Sequence, residues 1–194
     1  MGGFAVFMQW YAVSSIGYGG SALLFVEPLV VLSLLAPALA VPGLLVGALF
    51  PSIRRRSLVL LVGCCLFVVV GVGALRVGGP IRMAGFDRLA ERSKPLVAAI
   101  TDFTREQGRP PIDLHELVPT YLPEVPGTGM PAYPDFDYAT DPQRWDANPW
   151  TLWVRTPAGG INFDMFMYLP RQNYPEQGYG GVLVRVGDWA YVYE

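Results

Sequence analysis

LVVLSLLAPALAVPGLLVGALF at 29–50, PSIRRR at 51–56 and SLVLLVGCCLFVVVGVGALR at 57–76 form the stretch that decides the architecture. Neither apolar run carries a charge before Arg76. At about 1.5 Å per helical residue, each is long enough to cross a hydrocarbon core of about 30 Å. Arg54, Arg55 and Arg56 in a loop of a few residues are costly to move across a bilayer. That loop is therefore expected in the cytoplasm, and everything after residue 78 in the periplasm of a Gram-negative cell. Arg82, Arg88, Arg92 and Lys94 follow the second run closely. Long domains, however, are translocated with little regard to charge, so the tight triple arginine sets the orientation. The expected architecture is a membrane α-helical hairpin (29–77) carrying an α+β outer domain (78–194).

The charges divide the same way. The first 79 residues hold four arginines and one acid, Glu27, whereas the remainder holds ten basic and fifteen acidic side chains. An acidic domain with scattered arginines lacks the clustered basic face that nucleic acid requires. Residues 1–28 have Phe4, Phe7, Met8 and Tyr11 at helical spacing beside Trp10 and Tyr18. They read as an interfacial segment with aromatic anchors, with a third partial span as the alternative. No basic stretch precedes an apolar core, which argues against a secretory signal. Cys64 and Cys65 fall inside the second run, where apolar burial leaves thiols inert, and no cysteine follows them. The outer domain is thus held by its core rather than by disulfides.

In that domain Met83, Phe86, Leu89, Leu96, Val97, Ile100 and Phe103 fall mostly on one helical face. Gly78-Gly79-Pro80 ends or bends the second span. Pro95 either kinks the helix or lies in the first turn of a new one capped by Ser93. Gly108 is the natural stop. Asp113 and Glu116 have capping-box spacing ahead of a short helix closed by Pro119. Strands are expected at 150–156, 162–168, 182–186 and 189–193, with a weak fifth at 136–139. Turns fall at Pro157-Ala158-Gly159-Gly160 and at Gly187-Asp188. The expectation is an N-terminal helix packed on an antiparallel β-meander of four to five strands.

The run Leu96-Val97-Ala98-Ala99-Ile100-Thr101-Asp102-Phe103, then Glu106-Gln107-Gly108-Arg109-Pro110-Pro111, then Leu114-His115-Glu116-Leu117-Val118-Pro119-Thr120-Tyr121-Leu122-Pro123 resembles the globular start of type II secretion major pseudopilins. The likeness covers residues 95–126, and it implies an extracytoplasmic, pilin-like domain whose sheet covers the helix. The anchor departs from that pattern. No basic residue precedes Gly3-Phe4, Met8 stands where the family has a glutamate, and two apolar runs replace one. These departures count against filament assembly. The family often binds calcium through loop carboxylates, so Asp135, Asp137, Asp141 and Asp146, with Asn148, are weak calcium candidates.

Signals for chemistry are sparse. His115 is the single histidine, and without a second histidine or an outer cysteine a zinc or iron site lacks ligands. No serine sits in a nucleophile elbow, and no phosphate-cradling glycine loop opens a helix. Asp164 is the best candidate for a catalytic acid, but it reads as a solvent-face carboxylate. No enzyme activity, cofactor or small-molecule substrate is expected.

Binding features are better represented. Gly43 and Gly47 offer a small-residue face for close helix approach, either within the hairpin or to another chain. Arg144, Trp145, Arg171, Tyr174 and Tyr179 are residue types that anchor interfaces, in two long loops that alternatively fold back on their own sheet. The expected function is a non-catalytic accessory subunit of a larger bacterial inner-membrane complex, respiratory or photosynthetic. The alternatives are a component of a type II secretion or pilus-like machine and, last, a membrane-bound enzyme. The expected partners are integral-membrane subunits and the lipid bilayer.

Overall fold

The computed structural model describes residues 2–14, 35, 37, 39–143, 146–157, 163–176 and 179–193. Helix α1 (Gly2–Val13) is followed by helical residues 39–47, a turn at 48–53 and helix α2 (Arg54–Gln107). A 3-10 turn (Leu114–Leu117) then leads into strands β1 (Asp137–Ala139), β2 (Thr151–Arg155), β3 (Met165–Tyr168), β4 (Val182–Val186) and β5 (Trp189–Tyr193).

α2 spans 54 residues without a break and contains both Pro80 and Pro95. The expected interruption at Gly78-Gly79-Pro80 does not occur, and Ser93 caps no second helix. Its hydroxyl instead donates to the Leu89 carbonyl at 2.7 Å within α2. Each proline removes one intrahelical hydrogen bond, a cost of about 3 kcal/mol in an isolated helix. Both lie on the exposed side. The opposite side is a continuous buried stripe of Phe86, Leu89, Leu96, Ile100 and Phe103, and packing of that stripe holds the helix straight through. Gly108, with φ of 70°, ends α2 as expected, because the left-handed conformation suits a residue without Cβ.

α2 is the one helix among the described residues long and apolar enough to cross a membrane. Leu58, Val59, Val62, Leu66, Val69 and Val70 on its first half are exposed. Of the other expected span, 29–50, residues 29–34, 36 and 38 lie outside the described residues. Its end is present: a Cβ added at Gly47 would stand 2.5 Å from Ser57 Oγ, so the helical segment 39–47 meets the start of α2 closely. Arg54, Arg55 and Arg56 form the first turn of α2 rather than a loop. At the other end of the apolar run, Val13 of α1 packs on Gly85, and Ala12 and Val13 join the core.

The five strands form one antiparallel sheet in the order β1-β2-β3-β5-β4. This corrects the expected simple meander: β3 pairs with β5, and β4 lies outermost. The chain leaves β3 through residues 169–181, runs out along β4 and returns to β5 through the two-residue turn Gly187-Asp188. One sheet face, with Leu152, Val154, Phe166 and Tyr191, packs on α2. There the Phe86 and Phe166 rings stack at 4.7 Å and Phe166 and Trp189 at 4.9 Å. The other face buries Met167, Leu169, Ala190 and Val192 beneath Tyr174 and Tyr179 of the 169–181 loop. The capping box forms by half. Asp113 accepts from the His115 amide at 2.7 Å, while Glu116 turns to Arg109 at 3.0 Å.

Candidate functional site

The two long loops join into one surface. Asn148 is fully buried and acts as the rivet: its Oδ1 accepts from the Arg171 amide at 2.9 Å and its Nδ2 donates to Asn173 Oδ1 at 2.7 Å. Asn173 Nδ2 donates to the Asp146 carbonyl at 2.8 Å, and the Tyr179 hydroxyl donates to Asp146 Oδ2. Asp146 and Ala147 take positive φ of 51° and 61°, which turns the chain sharply enough to bring Asn148 inward.

Tyr174 pins the second loop to the sheet. Its oxygen accepts from the Leu169 amide at 2.9 Å and donates to the Asp188 carbonyl at 2.8 Å, while the Arg185 guanidinium lies 4.0 Å from its ring centroid. Burial pushes the Tyr174 phenol well above its ordinary range. Tyr179 is pushed up by burial and then by the Asp146 carboxylate. Both tyrosines thus lie back on their own sheet, and Arg171 remains exposed at the joint. Arg144 and Trp145 lie outside the described residues. Gly47 is occupied by its contact with Ser57, whereas a Cβ at Gly43 would meet no atom within 4 Å.

The calcium candidates do not gather. Asp137 is held by Arg155 in a two-pronged pair at 2.9 Å, Asp141 accepts from the Gln143 amide at 3.1 Å, Asp146 serves Tyr179, and Asp135 is exposed. Among the described residues, no group of three histidine, cysteine or carboxylate side chains could hold a metal ion. His115 is exposed.

Asp164 is not on the solvent face. It is 3% exposed, and its Oδ2 accepts from the Tyr191 hydroxyl at 2.8 Å. The same hydroxyl accepts from Arg82 Nε at 3.1 Å. Arg82, 5% exposed, also donates to the Tyr133 hydroxyl at 3.2 Å and to the Thr156 carbonyl. Its guanidinium lies 5.1 Å from the Phe86 ring centroid and 5.3 Å from that of Tyr191. Burial, then the Asp164 charge, pushes the Tyr191 phenol up, against a downward pull from Arg82. The network ties α2 to the sheet through a forked donor whose charge is met by aromatic faces and oxygens.

Sequence reasoning missed this cluster, although its signals were present. Asp164 shares strand parity with Phe166, which faces α2, and Arg82 lies one turn before Phe86 on the buried stripe. Farther along, a groove of about 400 Å³ separates α2 at Glu91 and Lys94 from Tyr168, Asp188 and Trp189.

No family model, curated protein or solved structure matches the chain.

Proposed function

We propose that this chain is a non-catalytic accessory subunit of a larger bacterial inner-membrane complex, anchored by two spans with its α+β domain in the periplasm. The observation that carries the reading is the loop surface riveted by Asn148. Two long loops, on either side of the β2–β3 pair, are cross-bonded into one preorganised patch with Arg171 exposed on it. Loops held this way lose little conformational freedom on docking, which favours recognition. The unbroken α2 supports the same reading, because it joins membrane and domain as one stiff piece. Mild-detergent extraction from native membranes, size separation and mass spectrometry test it. Co-migration with a large respiratory or photosynthetic complex is the expected result, and a lone small species overturns the proposal.

A second reading, a part of a secretion or pilus-like machine, draws support from the packing of one antiparallel sheet on the outer half of the same helix that bears the apolar span. It predicts co-migration with pseudopilins in the same experiment.

A further inference from the structure

The two edges of the sheet differ in how they are guarded. β1 is three residues long, carries Asp137 bound across the ladder to Arg155, and is followed by Asp141-Pro142. Short length, charge and proline all discourage further pairing. β4 is neither short nor interrupted by proline. It is five residues long, reads Val182-Leu183-Val184-Arg185-Val186, and exposes Val182 by 54% and Val184 by 37%. Its one charge is drawn away from the edge: Arg185 Nη2 donates to Gln172 Oε1 at 2.7 Å and its guanidinium covers Tyr174.

The register identifies the free groups. Val186 pairs with Trp189 across a two-residue turn, so that closing pair exchanges both hydrogen bonds, and Val184 and Val182 do likewise in alternation. The amides and carbonyls of Leu183 and Arg185 therefore point away from β5, and among the described residues nothing takes them. Four aligned backbone groups flanked by exposed valines are a template for one more strand.

A second copy does not fit that template. Antiparallel pairing of β4 with itself has its two-fold axis perpendicular to the sheet. α2 lies along the sheet face, so this axis is perpendicular to α2, and the rotation would send the second copy's span in the opposite direction. Two copies anchored alike in one bilayer cannot meet that way.

We infer that the β4 edge receives an extended strand from a different subunit of the complex, with uncharged, β-branched residues beside Val182 and Val184. This rests on the accessory-subunit reading. Amide hydrogen exchange tests it on the full chain, purified in mild detergent and within the complex extracted from native membranes. In the purified chain Val184 and Val186 exchange slowly and Leu183 and Arg185 quickly. In the complex all four are slow. A chain that extracts alone overturns both the subunit reading and the strand. A chain that keeps its partners while Leu183 and Arg185 stay fast overturns the strand alone, as does protection already present in the purified chain. Val184→Lys, at a half-exposed site, should cut the co-extracted fraction about tenfold with exchange elsewhere unchanged. Undiminished co-extraction counts against the proposal, and a disulfide-linked dimer of Val184→Cys would install the second copy instead.

Discussion

Val13 rests directly on the backbone of Gly85: a Cβ built at Gly85 would overlap Val13 Cβ and stand 2.6 Å from its Cγ2. Gly85→Ala would raise helix propensity by about 1 kcal/mol if α2 stood alone. The contact reverses that sign, and overpacking against Val13 is expected to cost about 1–3 kcal/mol net. Thermal melting in detergent, with proteolysis of the N-terminal segment as a second readout, checks it. A gain in stability would show that α1 does not dock there.

The Tyr191 hydroxyl serves two buried charges at once, so Tyr191→Phe leaves Arg82 short of an acceptor and Asp164 short of a donor. A loss of about 1–3 kcal/mol is expected. Tyr193→Phe, on the same face of β5, is expected to be nearly neutral. Equal losses in the two variants would contradict a special role for the Tyr191 oxygen.

Alkaline pH tests the same cluster. The Tyr191 phenol is raised in the folded chain, so the native state holds its proton above the ordinary phenol value of about 10. The contribution of this residue to stability is therefore constant through neutral pH. It falls as pH rises beyond about 10, by up to about 1.4 kcal/mol per pH unit for this residue, until the folded-state value is passed. Ultraviolet titration of phenolate should show ionisation coinciding with unfolding, and Tyr191→Phe should soften the fall.

Orientation is checked with single cysteines in a chain whose Cys64 and Cys65 are replaced by serine. In intact cells with a permeable outer membrane, His115→Cys should react with an impermeant thiol reagent. Arg55→Cys should react only after the inner membrane is opened. The reverse pattern would invert the topology.

Chelator and added calcium should leave the melting temperature unchanged, since Asp137 is already matched by Arg155. Asp137→Asn breaks an exposed pair and is expected to cost less than about 1 kcal/mol. A calcium-dependent shift would locate a site outside these carboxylates' present arrangement.

How far the sequence carries the fold can be seen at particular residues. The five strands were readable because alternation of aromatic and β-branched residues survives wherever one sheet face meets the helix, as at Leu152-Trp153-Val154. The unbroken α2 was not. Gly78-Gly79-Pro80 obeys a local breaking rule that the Phe86–Phe103 stripe overrides by packing, a long-range term. The place of β4 was equally hidden, since the local pattern does not distinguish a strand beside β3 from one beyond β5. Tyr174 and the loop it pins settle that order by covering the second sheet face. In the loop site, residue type pointed to Tyr174 and Tyr179 but not to Asn148, whose role depends on two turns meeting.

Because Arg76 and Lys94 belong to one helix, the distance between them is set by helical rise alone, about 27 Å over eighteen residues. Lys94 faces the Gly187-Asp188 turn across the groove. If the apolar half of α2 spans the bilayer as proposed, the end of the β4–β5 hairpin is held at a constant distance along the helix from the lipid, and α2 works as a ruler. On the proposed topology a neighbour that hugs the membrane surface would pass beneath that hairpin and only one tall enough to reach it would engage, so selection among partners would begin with stature before any side chain is read.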